Sequence, residues 1–258
     1  MKTVILAGGL GTRLTEETTI RPKPMVEIGG KPIIWHIMKI YEKYGFNDFI
    51  ICLGYKGHII KEYFINYYLY NSDITVEVGS SKMEIHYSSS ESFKVTLIDT
   101  GLETNTAGRL QRIQKYVANE KFMLTYGDGV CNINLHDLLN FHNAHGRLVT
   151  LSTVQLPGRF GTLEFDKNGL VTQFQEKPKG DGAWINAGFF VMEPGIFNYL
   201  QGNMDTIQWE RQPLSNIAND NQLAAYRHTG FWRCMDAMRD KIELEELWES
   251  SKAPWKIW

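Results

Sequence analysis

The sequence has few cysteines and no long apolar run, and each absence excludes a class of protein. Cys52, Cys131 and Cys234 lie far apart and form no CxxC pair, so neither a disulfide framework nor a cysteine zinc site is expected. The apolar stretch near the N-terminus is too short for a signal peptide, and no segment is long enough to cross a membrane. We therefore expect free thiols, a cytoplasmic location and no membrane partner.

An excess of charge of one sign is also lacking. The 258 residues include 27 Lys and Arg against 29 Asp and Glu, which gives a formal net charge of −2. Nucleic-acid binding through bulk electrostatics is therefore not expected. Any phosphate site must be local, built from a few well-placed cations and backbone N–H groups. The seven histidines show no HxxxH spacing, so no zinc site is expected either.

Short apolar runs alternate with segments of helical periodicity through the first half of the sequence. Strands are predicted at residues 3–7, 48–54, 75–78, 95–99 and 121–126, and helices at residues 32–44, 57–70 and 107–117. This alternation predicts an α/β fold of the Rossmann-like kind, with a mostly parallel sheet flanked by helices. Ligands of such sheets bind beyond the carboxyl ends of the strands.

The second half of the sequence is richer in predicted strands. Strands are expected at residues 147–154, 184–192 and 223–227, a hairpin at 161–174 and helices at 212–219 and 238–248. Asn168 and Gly169 supply the turn of that hairpin. Because no linker or repeat divides the chain, we predict a single domain over residues 1–258 with β-rich additions in its second half.

The strongest motif is the glycine segment that follows the first predicted strand, Leu6-Ala7-Gly8-Gly9-Leu10-Gly11-Thr12-Arg13-Leu14. Glycines let backbone N–H groups crowd an anion, and Arg13 adds a cation beside the phosphates that the loop would gather. The segment lacks the Gly-Lys-Ser/Thr of a P-loop, and Leu14 stands where a dinucleotide fingerprint has its third glycine. The glycines alone are equally compatible with a plain tight turn.

Four charged residues are further candidates, each with a simpler alternative. Lys23 stands between two prolines that give it a rigid mount for a phosphate, although a surface lysine would look the same. Asp128 lies in a glycine-flanked turn, as a Mg²⁺ ligand or a turn former. Asp236 is a further candidate acid, and its simpler alternative is the N-cap of the helix that follows. Arg109 lies at the start of a predicted helix, where its side chain could either contact a nucleotide or be exposed to solvent.

Together, the glycine segment and Pro22-Lys23-Pro24 resemble the signature of the sugar nucleotidyltransferase family, the nucleoside-diphosphate-sugar pyrophosphorylases. The resemblance continues through the segments at residues 126–130, 174–178, 186–190 and 232–236. It implies a Mg²⁺-dependent enzyme in which Arg13, Lys23 and Asp128 are catalytic. It also implies that Asp128 and Asp236 bind the metal.

The resemblance also implies two substrate sites. The nucleotide site consists of Leu6, Ala7, Gly8, Gly9, Gly11, Thr12, Arg13, Lys23, Thr104, Gly108, Arg109 and Asp128. The sugar-phosphate site consists of Glu176, Lys177, Asn186 and Gly188. Glu164 is a candidate for binding sugar hydroxyls, with an exposed strand position as the alternative. Residues 1–130 would form the nucleotide-binding core, and residues 131–258 the portion for sugar-phosphate binding and oligomerisation.

Similarity at residues 62–64, 157–161, 209–214 and 252–256 narrows the resemblance to members that use CTP and glucose 1-phosphate. These members imply CDP-glucose synthesis for surface-polysaccharide (O-antigen) deoxysugars and a homo-oligomer, a trimer or hexamer. The aromatic segments 63–70 and 248–258 are expected in the core or at a subunit interface. Uridylyl or thymidylyl transfer, and a non-catalytic sugar-nucleotide sensor, stay open, because pattern does not determine the base.

Overall fold

The computed structural model describes residues 1–117, 120–156, 162–175 and 183–258. The strands are β1 (Lys2–Leu6), β2 (Glu27–Ile28), β3 (Lys31–Pro32), β4 (Asp48–Leu53), β5 (Ser72–Glu77), β6 (Lys82–Ser88), β7 (Lys94–Asp99), β8 (Phe122–Tyr126), β9 (Gly129–Cys131), β10 (Val149–Val154), β11 (Thr162–Phe165), β12 (Val171–Gln175), β13 (Ile185–Met192), β14 (Leu223–Arg227) and β15 (Trp232–Cys234). The α-helices are α1 (Thr15–Thr18), α2 (Ile33–Lys43), α3 (Gly57–Tyr70), α4 (Thr106–Val117), α5 (Leu135–His145), α6 (Gln212–Asn219) and α7 (Met238–Glu249). Short 3₁₀ helices span Lys23–Met25 and Pro194–Tyr199.

Seven strands form a central sheet in the order β14-β10-β13-β8-β1-β4-β7. β13 runs antiparallel to its two neighbours, β8 and β10, whereas every other pair in the sheet is parallel. The prediction of an α/β fold with a mostly parallel sheet is therefore confirmed.

Helices cover both faces of the sheet. Successive side chains of a strand point to opposite faces, and the apolar side chains on each face pack against a different set of helices. In β4, Phe49 and Ile51 join the apolar cluster with α2, α3, α5 and α7. Ile50 and Cys52 join the opposite cluster, with α4 and α6. None of the helices in the described residues is long and apolar enough to span a bilayer.

Most predicted elements are present within a few residues of their expected ends, including the β11–β12 hairpin. Helix α5 was not predicted from the sequence. The Asn134 side chain accepts hydrogen bonds from the first-turn N–H groups of His136 and Asp137, and the left-handed Gly146 ends the helix. Strand β6 was also missed, because the hairpin that it forms with β5 is exposed and shows no burial pattern.

Candidate active site

The glycine segment and Asp128 lie side by side because they follow adjacent parallel strands. Leu6 at the end of β1 is opposite Tyr126 at the end of β8, and the Gly127 N–H donates to the Leu6 carbonyl at 3.0 Å. Both segments line a cleft of about 740 Å³ at the carboxyl ends of these strands. The main loops predicted to bind ligand therefore meet at one place.

A short two-stranded sheet brings Asp236 into the same cleft. Strands β9 and β15 pair so that Gly129 is opposite Cys234, and the Met235 N–H donates to the Asp128 carbonyl at 2.8 Å. Asp236 follows directly and lines the cleft together with Asp128. The pairing of these two acids, which no local pattern could predict, is thus a product of the fold.

Lys23 joins the two acids. Its Nζ atom lies 2.8 Å from Asp128 Oδ2 and 2.9 Å from Asp236 Oδ1, and Arg13 makes a further ion pair with Asp236. Burial opposes the charge on Lys23, but the attraction of Asp128 and the hydrogen bonds to both acids raise its pKa. Burial likewise opposes the charge on Asp236, whereas Lys23 and Arg13 lower the pKa of that carboxyl. Lys23 and Asp236 are therefore both charged near neutral pH.

The two carboxylates could hold a metal ion. One oxygen of each approaches the same ammonium nitrogen within hydrogen-bond distance, so both are directed at one position. Hard carboxylate oxygens that converge in this way fit a divalent cation, which also takes ligands from substrate phosphates. Together with Lys23 and Arg13, they form a site suited to phosphate chemistry.

Arg109 lies beneath the glycine segment. Its guanidinium donates to the carbonyls of Leu53, Gly101 and Gly8 at 2.9, 2.9 and 3.0 Å and to Thr100 Oγ1 at 2.7 Å. A Cβ atom on Gly8 would lie 2.1 Å from Arg109 Nη1, so any larger residue there would displace the guanidinium from these partners. Arg109 lines the cleft, but these contacts make it a positioning residue for the loop. Direct contact with a nucleotide stays a prediction.

The predicted residues are mostly gathered in the cleft. Those that line it are Leu6, Ala7, Gly8, Gly9, Gly11, Thr12, Arg13, Lys23, Thr104, Arg109, Asp128, Asn186, Gly188 and Asp236. Gly108 is not among the lining residues, and a Cβ there would meet the Thr104 side chain at 2.6 Å. Glu164 is exposed on β11 and does not line the cleft either. Glu176 and Lys177 lie outside the described residues.

Sequence reasoning missed Glu210 as a site residue. Its carboxylate lines the cleft and accepts hydrogen bonds from Tyr126 Oη at 2.6 Å and Thr106 Oγ1 at 2.7 Å. The residue stands in a loop just before α6, where no periodicity marks it. Its only signal in the sequence was its place in the 209–214 segment of the narrower resemblance.

The fold and this cleft are those of a nucleotidyl-transferring enzyme. A model of the family described as Nucleotidyl transferase matches residues 2–235, and the chain belongs to that family. Glucose-1-phosphate cytidylyltransferase of Salmonella typhimurium is 54% identical over 259 residues, with 100% of each chain covered. Probable glucose-1-phosphate cytidylyltransferase of Bacillus subtilis is 44% identical over 258 residues, again with 100% of each chain covered.

Solved structures share the fold at lower identity. HddC from Yersinia pseudotuberculosis aligns with a TM-score of 0.68 and 24% identity, covering 96% of this chain and 99% of that one. A UDP-glucose pyrophosphorylase in its apo form aligns with a TM-score of 0.68 and 16% identity, covering 97% and 98%. At these identities, the likeness concerns the fold alone.

Proposed function

We propose that this chain transfers CMP from CTP to α-D-glucose 1-phosphate, with CDP-glucose and pyrophosphate as products. The observation that carries the proposal is the convergence of Lys23, Asp128 and Asp236 beside the glycine segment. The choice of substrates is supported by full-length relatives at 54% and 44% identity whose names state glucose-1-phosphate cytidylyl transfer. The presence of Arg13, Lys23 and both acids in the cleft favours an enzyme over a non-catalytic sensor.

The reaction is an in-line attack by an oxygen of the sugar phosphate on the α-phosphorus of CTP. This nucleophile is already an anion near neutral pH, so the site needs no general base. The barrier arises mainly from repulsion between anions and from misorientation, and catalysis therefore rests on positioning and charge neutralisation.

Different residues position and neutralise different parts of the two substrates. Arg13 and the N–H groups of residues 8–12 hold the triphosphate and the leaving pyrophosphate. Lys23 would exchange Asp128 and Asp236 for the α-phosphate when these acids bind the metal. Lys177, assigned from the resemblance alone, binds the phosphate of the sugar substrate, with Asn186 and Gly188 at the sugar.

Asp128 and Asp236 would hold Mg²⁺ in this scheme. The ion supplies charge neutralisation at the phosphates and makes the phosphorus more electrophilic. The fit rests on the two hard oxygen donors that already converge on Lys23 Nζ.

A homo-oligomer, a trimer or hexamer, is part of the same proposal. The apolar face consists of the exposed apolar side chains of α3 and the β5–β6 hairpin, namely Ile65, Tyr68, Tyr70, Ile74, Val76, Val78, Met83, Ile85 and Tyr87. An isolated two-stranded hairpin is marginally stable at best, and an apolar patch of this kind marks an interaction surface. We assign this face to a second copy of the chain. The enzyme would act in the cytoplasm, towards deoxysugars of surface polysaccharide.

The Trp-rich tail, expected in the core or at an interface, packs within the chain. Trp255 is only 1% exposed and stacks on Phe231 and Trp248. The proposed interface is therefore the apolar face and not the tail.

The proposal is tested by pyrophosphate release from four nucleoside triphosphates, each combined with several sugar 1-phosphates. CTP with glucose 1-phosphate is expected to give the highest kcat/KM. A preference for UTP or dTTP would refute the cytidylyl assignment in favour of its alternatives. No release with any pair would favour the sensor.

Asp128→Asn is expected to lower Mg²⁺-dependent kcat by at least about a hundredfold, because a neutral amide is a poor ligand for a hard cation. The circular dichroism spectrum should be unchanged. Chelation with EDTA should abolish turnover of the unsubstituted enzyme, and added Mg²⁺ should restore it. Asp137→Asn, at an exposed position of α5 outside the cleft, is the matched control and should retain activity. Full activity of Asp128→Asn would exclude Asp128 as a ligand.

A further inference from the structure

The Glu210 carboxylate is fixed at the cleft wall by neutral donors. Tyr126 Oη at the end of β8 and Thr106 Oγ1 at the start of α4 each donate to a different carboxylate oxygen. Within the described part of the chain, no Lys or Arg nitrogen lies within the 4.0 Å that would make an ion pair with Glu210. Among the described residues, Glu210 is thus a carboxylate without a cation, in a cleft otherwise suited to binding anions.

The hydrogen bonds continue from Glu210 to the strand that carries Asn186. Tyr126 Oη donates its single proton to Glu210, so it must accept from Asn186 Nδ2 at 3.3 Å. Asn186 Oδ1 accepts from the Gly188 N–H at 2.7 Å, which fixes the orientation of the amide. Burial, and then the neighbouring Glu210, raise the pKa of Tyr126, so its hydroxyl stays a donor. This wall of the cleft therefore has a defined pattern of donors and acceptors.

Such a carboxylate repels phosphate and selects a neutral donor. Each oxygen of Glu210 retains acceptor capacity beyond the bond that it already makes. The complementary ligand group is a hydroxyl, whose hydrogen bond to an ionised acceptor is stronger than one to a neutral acceptor. In a nucleotidyl transfer to a sugar phosphate, the sugar ring is the part that carries several hydroxyls and no charge.

We propose that Glu210 accepts a hydrogen bond from a ring hydroxyl of the sugar 1-phosphate and thereby selects the sugar. The assignment deepens the proposed function and rests on it. An exocyclic amino group of the base would also donate to a carboxylate. Thr106 connects Glu210 to the helix that carries Arg109, which is assigned to the nucleotide. The hydrogen bonds through Tyr126 lead instead to Asn186 and Gly188 on β13, and these favour the sugar.

The test is Glu210→Gln, with KM measured separately for glucose 1-phosphate and CTP. KM for glucose 1-phosphate should rise about ten- to a hundredfold, because a bond to a charged acceptor is lost, while KM for CTP stays within about twofold. The preference for glucose 1-phosphate over its epimers, such as galactose 1-phosphate, should fall about tenfold. Glu249→Gln, at an exposed position at the end of α7, should change neither value.

Thr106→Val separates sugar recognition from a purely structural role. It removes the hydrogen bond between α4 and Glu210 but keeps the carboxylate, so it should lower Tm without changing the epimer preference. Equal rises of both KM values in Glu210→Gln, a rise for CTP alone, or unchanged sugar preference would overturn the proposal.

The nucleotide and sugar panel on the unsubstituted enzyme is run first. A different preferred pair would refute the proposed function, and Glu210 would then be tested on that pair.

Discussion

Lys23 and Arg109 are both buried cations of the cleft, but their partners give them different roles. Lys23 faces two carboxylates, which hold its charge at the point where phosphates would bind. Arg109 faces oxygen acceptors of the protein itself, among them the carbonyls of Gly8 and Leu53. In the proposed mechanism, Lys23 exchanges its partners for a substrate, whereas Arg109 fixes the shape of the glycine segment.

Arg109→Met is expected to lower the free energy of unfolding by about 3 kcal/mol, because several buried oxygen atoms lose their donor. The change is measured by urea unfolding followed by circular dichroism. Arg239→Met, at an exposed position of α7, is the control and should change stability by no more than about 0.5 kcal/mol. Equal unfolding midpoints for the two variants would show that the Arg109 contacts do not stabilise the loop.

Two small two-stranded sheets outside the central sheet differ in where they lie. Strand β9 is buried and β15 is partly buried, and their pairing brings Asp236 next to Asp128 in the cleft. The β5–β6 pair forms a separate sheet with exposed apolar side chains. In the β5–β6 hairpin Val76 is opposite Met83, while the preceding residue, Thr75, is opposite Glu84 on the other face. The two faces therefore differ in polarity.

Val76→Lys should weaken or abolish self-association, because it places a charge in the centre of the apolar face. The matched variant Thr75→Lys puts the same charge on the opposite face and should assemble as the unsubstituted chain does. Sedimentation velocity over a range of concentrations gives the oligomeric state of each. If the unsubstituted chain is a monomer, or if both variants assemble normally, the apolar face is not the subunit interface.

The C-terminal tail packs against His36 on α2. Trp255 Nε1, which can only donate, lies 3.4 Å from His36 Nδ1, so Nε2 carries the proton and donates to the Ile28 carbonyl at 2.8 Å. Trp248 packs edge-on against the same imidazole. Burial lowers the pKa of His36 to about 4, so the fold requires the neutral ring.

Stability should therefore fall as the pH drops below the ordinary histidine pKa of 6.5. Between pH 6.5 and 4 the unfolded chain takes up a proton at His36 that the folded chain refuses, which lowers the free energy of unfolding by about 3 kcal/mol. Urea unfolding at pH 7.5 and 4.5 measures the loss. His36→Gln should show a smaller loss, whereas His136→Gln, at an exposed position of α5, should keep it. An unchanged loss in His36→Gln would contradict this account.

The sequence defined the local elements and motifs because these depend on neighbouring residues. Periodicity predicted β1, β4, α2 and α4, which the structure contains, and the glycine segment predicted a phosphate-binding loop after β1. Exposed or very short elements escaped prediction, since β6 and β15 bury too little surface to leave a pattern.

The convergence of distant residues was decided by the tertiary structure. Asp128 meets Asp236 only because β9 pairs with β15, and Glu210 reaches Tyr126 only because the loop before α6 lies against the end of β8. Arg109 on α4 donates a hydrogen bond to the Gly8 carbonyl because α4 packs against β1 and β4 beneath the glycine segment. Contacts between residues far apart in the chain depend on the global packing of the sheet and its helices, and a local pattern carries no record of that packing.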